Sequence, residues 1–117
     1  MRAHAIARGV RMSPRKMRLV IDQIRGQDVD QAYSILQFSK KKASGSIDKV
    51  LRSAVANATH KADEAGETLD VDHLYVSEAF VDEGRTLRRW RARAYGRATP
   101  VLKRSSHVTV VVDTREE

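Results

Sequence analysis

An α+β fold is predicted by the order of the periodic segments in this chain. Apolar residues recur at helical spacing in three stretches between residues 13 and 65, and two β-branched runs follow at residues 74–81 and 107–112. A weaker alternating segment, residues 2–10, precedes them all. The chain has 117 residues, enough for one hydrophobic core and short for two, so a single domain is expected over residues 1–117.

Residues 2–10 alternate small or apolar with polar side chains, which predicts a short edge strand ending near Gly9 and Arg11. Ser13-Pro14 is then a helix start, with Ser as N-cap and Pro at the first helical position. Met17, Val20, Ile21 and Ile24 follow on one face, and Gly26 closes that helix. A second, shorter helix is expected from about Asp30 as N-cap, with Ala32, Ile35 and Leu36 on one side and Phe38-Ser39 at its end. The strongest periodicity comes next. Ile47, Val50, Leu51, Ala54, Val55 and Ala58 draw one apolar stripe, predicting a helix over roughly 42–65 that stops at Gly66. The runs LYVSEAFV at 74–81 and HVTVVV at 107–112 are rich in β-branched and aromatic residues and are bounded by Gly84 and by Ser105-Ser106, so they are predicted as two strands that pair antiparallel.

Composition narrows the function classes. The formal net charge is +7 with an isoelectric point near 10.1, which points to nucleic acid or another acidic surface. Aromatic residues are only 5%, too few for a sheet that stacks many successive bases. Cysteine is absent, which excludes disulfides and thiolate zinc sites and fits a reducing, cytoplasmic location. No apolar run approaches the ~20 residues of a membrane-spanning helix, and the first eight residues lack the apolar core of a signal peptide. His4, His60, His73 and His107 show no chelating spacing, so no metal is expected. Neither phosphate-cradling glycine motif occurs, so no cofactor is expected. Glu78, Asp82 and Glu83 suit a solvated strand end better than a catalytic cleft, and an enzyme has no positive support.

The charges are segregated along the chain. Residues 84–104 hold eight Lys or Arg and no acid, whereas residues 62–83 hold eight Asp or Glu and no Lys or Arg. The basic segment, with TLRRWRARAYGRATP at 86–100, has too few large apolar residues to bury a core, so its shape is expected to be completed by a polyanion. It also joins two pairing strands through some twenty residues, where hairpin loops take about 2 to 5. Continued as a ribbon of about ten residues per leg, it reaches on the order of 30 Å. Alternation then places Arg89, Arg91 and Arg93 on one face and Arg88, Trp90, Ala92 and Ala94 on the other, with Tyr95-Gly96 at the tip. A two-stranded ribbon with no packed face is marginal in water by itself. A solvated loop that merely aids solubility is the bland alternative; interspersed charges, not segregated ones, are its usual mark.

A second basic cluster lies at the first helix start, where Ser13, Arg15, Lys16 and Arg18 set cations beside free backbone N–H groups. Such a start also serves as an ordinary capped helix, and the ribbon tips the reading toward binding. Lys40, Lys41 and Lys42 form a run too short to assign a role.

Five blocks, in order and at fitting spacing, carry a resemblance: SPRKMRLV at 13–20, VLRSAVANA at 50–58, FVDEG at 80–84, RAYGRA at 93–98 and KRSSHVTVVV at 103–112. Through them almost the whole chain resembles the family of bacterial large-subunit ribosomal protein number twenty-two, the universal uL22 family. The resemblance implies three helices packed on a small antiparallel sheet, a globular body of residues 1–83 and 105–117, and a long protruding β-hairpin of residues 84–104. It implies a structural role on 23S ribosomal RNA, support of subunit assembly, and a hairpin that helps line the peptide exit tunnel. Neighbouring large-subunit ribosomal proteins and the nascent polypeptide are the further partners implied; no membrane and no homo-oligomer are expected. Proline is common in that family where this chain has Arg85 and Ala92.

Carried onto this sequence, the resemblance gives Arg85, Arg88, Arg89, Arg91, Arg93, Arg97, Lys103 and Arg104 the neutralisation of RNA phosphates. Trp90 and Tyr95 are available for stacking, and Gly96 permits the turn. Arg11, Ser13, Arg15, Lys16 and Arg18 form a second RNA anchor on the body. The tip, Arg93, Ala94, Tyr95, Gly96 and Arg97, is expected to face the tunnel. The acidic stretch is expected to lie away from RNA, because carboxylates beside phosphates repel. From another class, a DNA-binding or architectural protein that inserts a basic β-ribbon into a groove remains the alternative, marked by a symmetric dimer.

Overall fold

The computed structural model describes residues 2–92 and 94–115. The alternating amino-terminal segment forms strand β1 (Ala3–Val10), and Pro14, with its fixed φ and missing N–H, opens helix α1 (Pro14–Ile24). Ser13 sits at the cap in extended conformation, its side chain makes no capping bond, and its carbonyl accepts from the Met17 amide at 3.2 Å. Helix α2 (Val29–Phe38) begins two residues ahead of the expected start, after Asp28 rather than at Asp30. The cause is tertiary. Gly26 N–H donates to the Val76 carbonyl and Val76 N–H to the Gln27 carbonyl, both at 2.9 Å, which pins residues 26–28 beside a later strand and leaves Val29 as the first residue free to turn. Helix α3 (Ala43–Glu64) carries the long stripe and ends near the left-handed Gly66 (φ 69°).

The β-branched runs become β2 (Leu74–Glu83) and β5 (Ser106–Thr114), and the basic segment between them forms β3 (Leu87–Ala92) and β4 (Ala98–Lys103). Strand order is β1-β5-β2 in one antiparallel sheet, with β3-β4 as a separate two-stranded sheet. β5 is central. Its register sets Ala5 and Ala79 against Val110, and Ala7 and Val81 against Val108. Each neighbour carries an irregularity, one at Gly9 (φ 69°) and one at Ser77, whose hydroxyl donates to the Val111 carbonyl at 3.2 Å.

Both outer edges of this sheet would offer unpaired carbonyls to other strands. Helix side chains occupy them instead. Asn57 Nδ2 donates to the His4 carbonyl at 2.8 Å and Lys61 Nζ to the Arg2 carbonyl at 2.7 Å, so α3 covers the β1 edge. On the other side Arg25 donates through Nε and Nη2 to the Ala79 carbonyl (2.9 and 2.6 Å), and Arg18 Nη2 to the Val81 carbonyl (2.9 Å). The helices therefore do two jobs with two faces: an apolar stripe fills the core, and flanking polar and cationic side chains close the sheet.

The core lies between the three helices and one sheet face. Met17, Val20, Ile21 and Ile24 of α1 meet Ile47, Leu51, Ala54 and Ala58 of α3 over Leu74, Val76, Val108, Val110 and Val112, all fully buried. Val55, expected on the same stripe, is only partly buried at its margin. Between α2 and α3, the Arg52 guanidinium lies over the Tyr33 ring at 5.0 Å. Burial raises the Tyr33 phenol above its ordinary pKa, while the hydrogen bond from Arg52 to Asp48 raises that of the guanidinium. No core residue comes from described positions 84–104.

Candidate nucleic-acid interface

The exposed cations singled out by the sequence divide between the ribbon, its joint with the body, and the start of α1. In the ribbon, Leu87 pairs with Lys103, Arg89 with Val101 and Arg91 with Thr99, all on one face. The opposite face pairs Arg88 with Leu102, Trp90 with Pro100 and Ala92 with Ala98. Residues directly across an antiparallel pair share a face, so the expected split of Arg89 and Arg91 from Arg88, Trp90 and Ala92 holds. Arg93 lies outside the described residues. The partners reveal an asymmetry that one leg alone hides: one face presents Arg89, Arg91 and Lys103, the other mainly Trp90, Pro100, Leu102 and alanines.

The regular ribbon is shorter than ten residues per leg. Each strand has 6 residues, about 20 Å of paired length, because β2 does not run on into β3. Residues 84–86 interrupt the pairing, and a joint replaces a continuous hairpin. Even so the molecule measures 67 × 27 × 17 Å with a radius of gyration of 17.7 Å, against about 13 Å for a compact chain of this length. Leu87 and Val101 are half-buried, whereas Arg88, Arg89, Arg91, Arg97, Lys103 and Arg104 are exposed. Trp90 keeps 67% of its surface exposed. Of the two positions where proline is common in the resembled family, Arg85 falls in the joint and Ala92 in the last ribbon pair.

At the tip a 3-10 turn, Ala94–Gly96, joins the legs. Tyr95 (φ 61°) and Gly96 (φ 69°) are both left-handed. Glycine adopts this freely; for tyrosine it costs roughly 1–2 kcal/mol. The turn holds the Tyr95 ring 98% exposed, free to stack on a partner.

At the joint, Gly84 N–H donates to the Ser105 carbonyl at 2.9 Å and the Ser105 hydroxyl to the Arg85 carbonyl at 2.7 Å. Arg104 pairs with Glu83 at 3.1 Å across the ribbon's base, so one acid expected away from the basic surface lies at its edge. The pair is exposed, and such pairs contribute about 1 kcal/mol or less. Among the described residues 85–103 no ion pair forms. Neighbouring cations there repel without an internal counter-charge among the described residues.

The expected anchor on the body splits around Ser13. On one side Ser13, Arg15 and Arg18 share a cleft with Glu83 and Arg104, which brings the helix start to the ribbon's base. Arg18 already gives one donor to the Val81 carbonyl. On the other side Arg11, Ser13 and Lys16 line a groove together with Lys41 and Lys42, which had no assigned role. The cluster was visible in the sequence; its proximity to α1 was not, because packing α2 back across α1 is what brings the α2–α3 turn there.

The family described as ribosomal protein L22p/L17e matches residues 5–113. The chain is 53% identical over 116 residues to the large ribosomal subunit protein uL22 of Bifidobacterium animalis subsp. lactis (strain AD011), covering 99% of this chain and 98% of that protein. It is 50% identical over 117 residues to the large ribosomal subunit protein uL22 of Oceanobacillus iheyensis, covering 100% of this chain and 99% of that protein.

Proposed function

From the premise that the chain belongs to the ribosomal protein L22p/L17e family, we propose that it is a structural constituent of the large ribosomal subunit that binds 23S ribosomal RNA and supports its assembly. The observation that carries this reading is the ribbon, a protruding pair of strands that adds nothing to the core, exposes its cations and has no acid of its own. Such a segment gains its rigidity from a phosphate-rich partner, and its cations neutralise that partner's charge. Arg85, Arg88, Arg89, Arg91, Arg93, Arg97, Lys103 and Arg104 are the phosphate contacts in this reading, and Trp90 and Tyr95 stack on bases or sugars.

The body, residues 1–83 and 105–117, and the hairpin, 84–104, form one domain in this proposal, seated among neighbouring large-subunit proteins. Arg11, Ser13, Arg15, Lys16 and Arg18 anchor the body. Held along its legs by RNA, the ribbon places residues 93–97 at the wall of the exit tunnel, where cations in a confined passage act on the nascent polypeptide by focused potential. The chain catalyses no reaction in this role, and it works in the cytoplasm within the ribosome. A DNA-binding ribbon protein calls for a symmetric dimer, and the ribosomal family weighs against it.

Sedimentation tests the proposal: the native protein should travel with large-subunit particles, stay through moderate salt and leave in a high-salt wash. A protein that never cosediments with those particles at low salt refutes it.

A further inference from the structure

Three consecutive side chains, where the ribbon returns to the body, each bond the backbone of a different segment. The Ser105 hydroxyl donates to the Arg85 carbonyl in the joint at 2.7 Å, and the buried Ser106 hydroxyl to the Met12 carbonyl ahead of α1 at 2.6 Å. His107 does the reverse: its ring Nδ1 accepts the Gly9 N–H of β1 at 3.0 Å. This last bond answers a local need. Ala7 pairs with Val108 and Val10 with Ser106, so Arg8 and Gly9 together stand opposite His107 alone. A bulge leaves its extra residue out of the ladder, and the left-handed Gly9 (φ 69°) turns its amide to a side chain instead.

An imidazole nitrogen that accepts carries no proton, so the His107 ring is neutral with its proton on Nε2. Imidazoles take up a second proton between about pH 5 and 8, and on Nδ1 it would set N–H against N–H. The half-buried ring has charged groups on several sides. Asp82 is its cross-strand partner on β2, Arg8 shares the bulge on β1, and Glu83, Arg85 and Arg104 lie at the joint, with Glu83 and Arg104 paired. The helices pack against the opposite sheet face, over Val108 and Val110. Cross-strand partners share a face, so an imidazolium is drawn towards the Asp82 carboxylate and away from Gly9. Gly84 leaves room for that movement, since a β-carbon there would lie 3.2 Å from the ring Cε1.

We propose that His107 is a pH-sensitive pin: as a neutral ring it holds the β1 bulge, and once protonated it releases the Gly9 amide and turns to Asp82 on β2. The serine hydroxyls beside it do not titrate in this range, so their two bonds remain. Acidification therefore loosens β1 around Arg8 and Gly9 without opening the joint or the core. The segment released leads through Arg11 and Met12 into α1. This behaviour belongs to the free chain and does not require RNA.

The test follows the full chain by NMR from about pH 8 to about pH 5. At the upper end the ring nitrogen shifts should show Nε2 protonated and Nδ1 bare. As the His107 ring titrates, protection of the Gly9 amide, corrected for intrinsic exchange, should fall about fivefold, the loss of one hydrogen bond of ordinary strength, while the Val110 and Val112 amides keep theirs. Both readouts come from the unsubstituted chain. His107→Gln, which retains an acceptor oxygen but cannot titrate, should show Gly9 protection that does not change over this range. A ring protonated on Nδ1 at the upper end, or Gly9 protection that stays level while the ring titrates, overturns the pin. So does a fall of the same size in His107→Gln, which assigns the response to another group such as His4.

Discussion

Gly84 and Ser105 face each other so closely that a β-carbon on Gly84 would lie 2.6 Å from the Ser105 Oγ and 3.2 Å from its carbonyl carbon. Ser105 is itself buried and donates to the Arg85 carbonyl, so the serine cannot swing away freely. The joint between body and ribbon is thus set by a side chain that is absent and one that is short. Gly84→Ala should destabilise the fold by roughly 1–3 kcal/mol, the usual range for overpacking. Ser105→Ala should cost about 1 kcal/mol for its hydrogen bond. The double variant should cost less than the sum, since removing Oγ relieves the clash. Denaturant unfolding of all four proteins measures the coupling, and strict additivity contradicts the contact.

Hydrogen exchange on the free chain should separate two regimes. Amides over residues 50–58 of α3, packed on the core, should exchange only through global opening. Amides over 88–92 and 94–98, in a ribbon without a core, should exchange orders of magnitude faster, and RNA should slow them. Strong protection of the ribbon without RNA would show that it is rigid by itself.

Charge reversal of Arg88, Arg89 and Arg91 to Glu should leave the unfolding free energy within about 0.5 kcal/mol of the parent, because these side chains are exposed and outside the core. RNA affinity should fall steeply, and the salt slope should become shallower by at least about 2. Parent values for both, measured in the same salt series, would remove the ribbon from the RNA site.

Ile47→Ala should cost about 2–5 kcal/mol, since its side chain is fully buried between helices and sheet. Phe38→Ala, at a residue 80% exposed, should stay within about 0.5 kcal/mol. Thermal melts of the two variants report the contrast directly.

Deleting residues 92–98 removes the tip and the last ribbon pair, Ala92–Ala98, while leaving the body and the joint intact. Large subunits carrying this variant should assemble, and their exit tunnel should be wider at that level, with altered pausing on acidic test peptides. A density map together with pausing measurements decides the role of the tip; unchanged width and unchanged pausing would leave the ribbon a scaffold only.

Periodicity in the sequence determined the three helices, the two β-branched strands and nearly all of the core, because each is set by spacing along one segment. The Ser13-Pro14 start, the Gly26 and Gly66 stops and the stripe from Ile47 to Ala58 are all local signals, and the segregation of charge marked the ribbon in the same way. The start of α2 at Val29, the joint at Gly84 and Ser105, the closing of sheet edges by Arg18, Arg25, Asn57 and Lys61, and the meeting of Lys41 and Lys42 with Arg11 and Lys16 were decided by the tertiary structure alone. Each depends on a contact between residues distant in sequence, and the free energy of such a contact exists only once packing has brought the segments together.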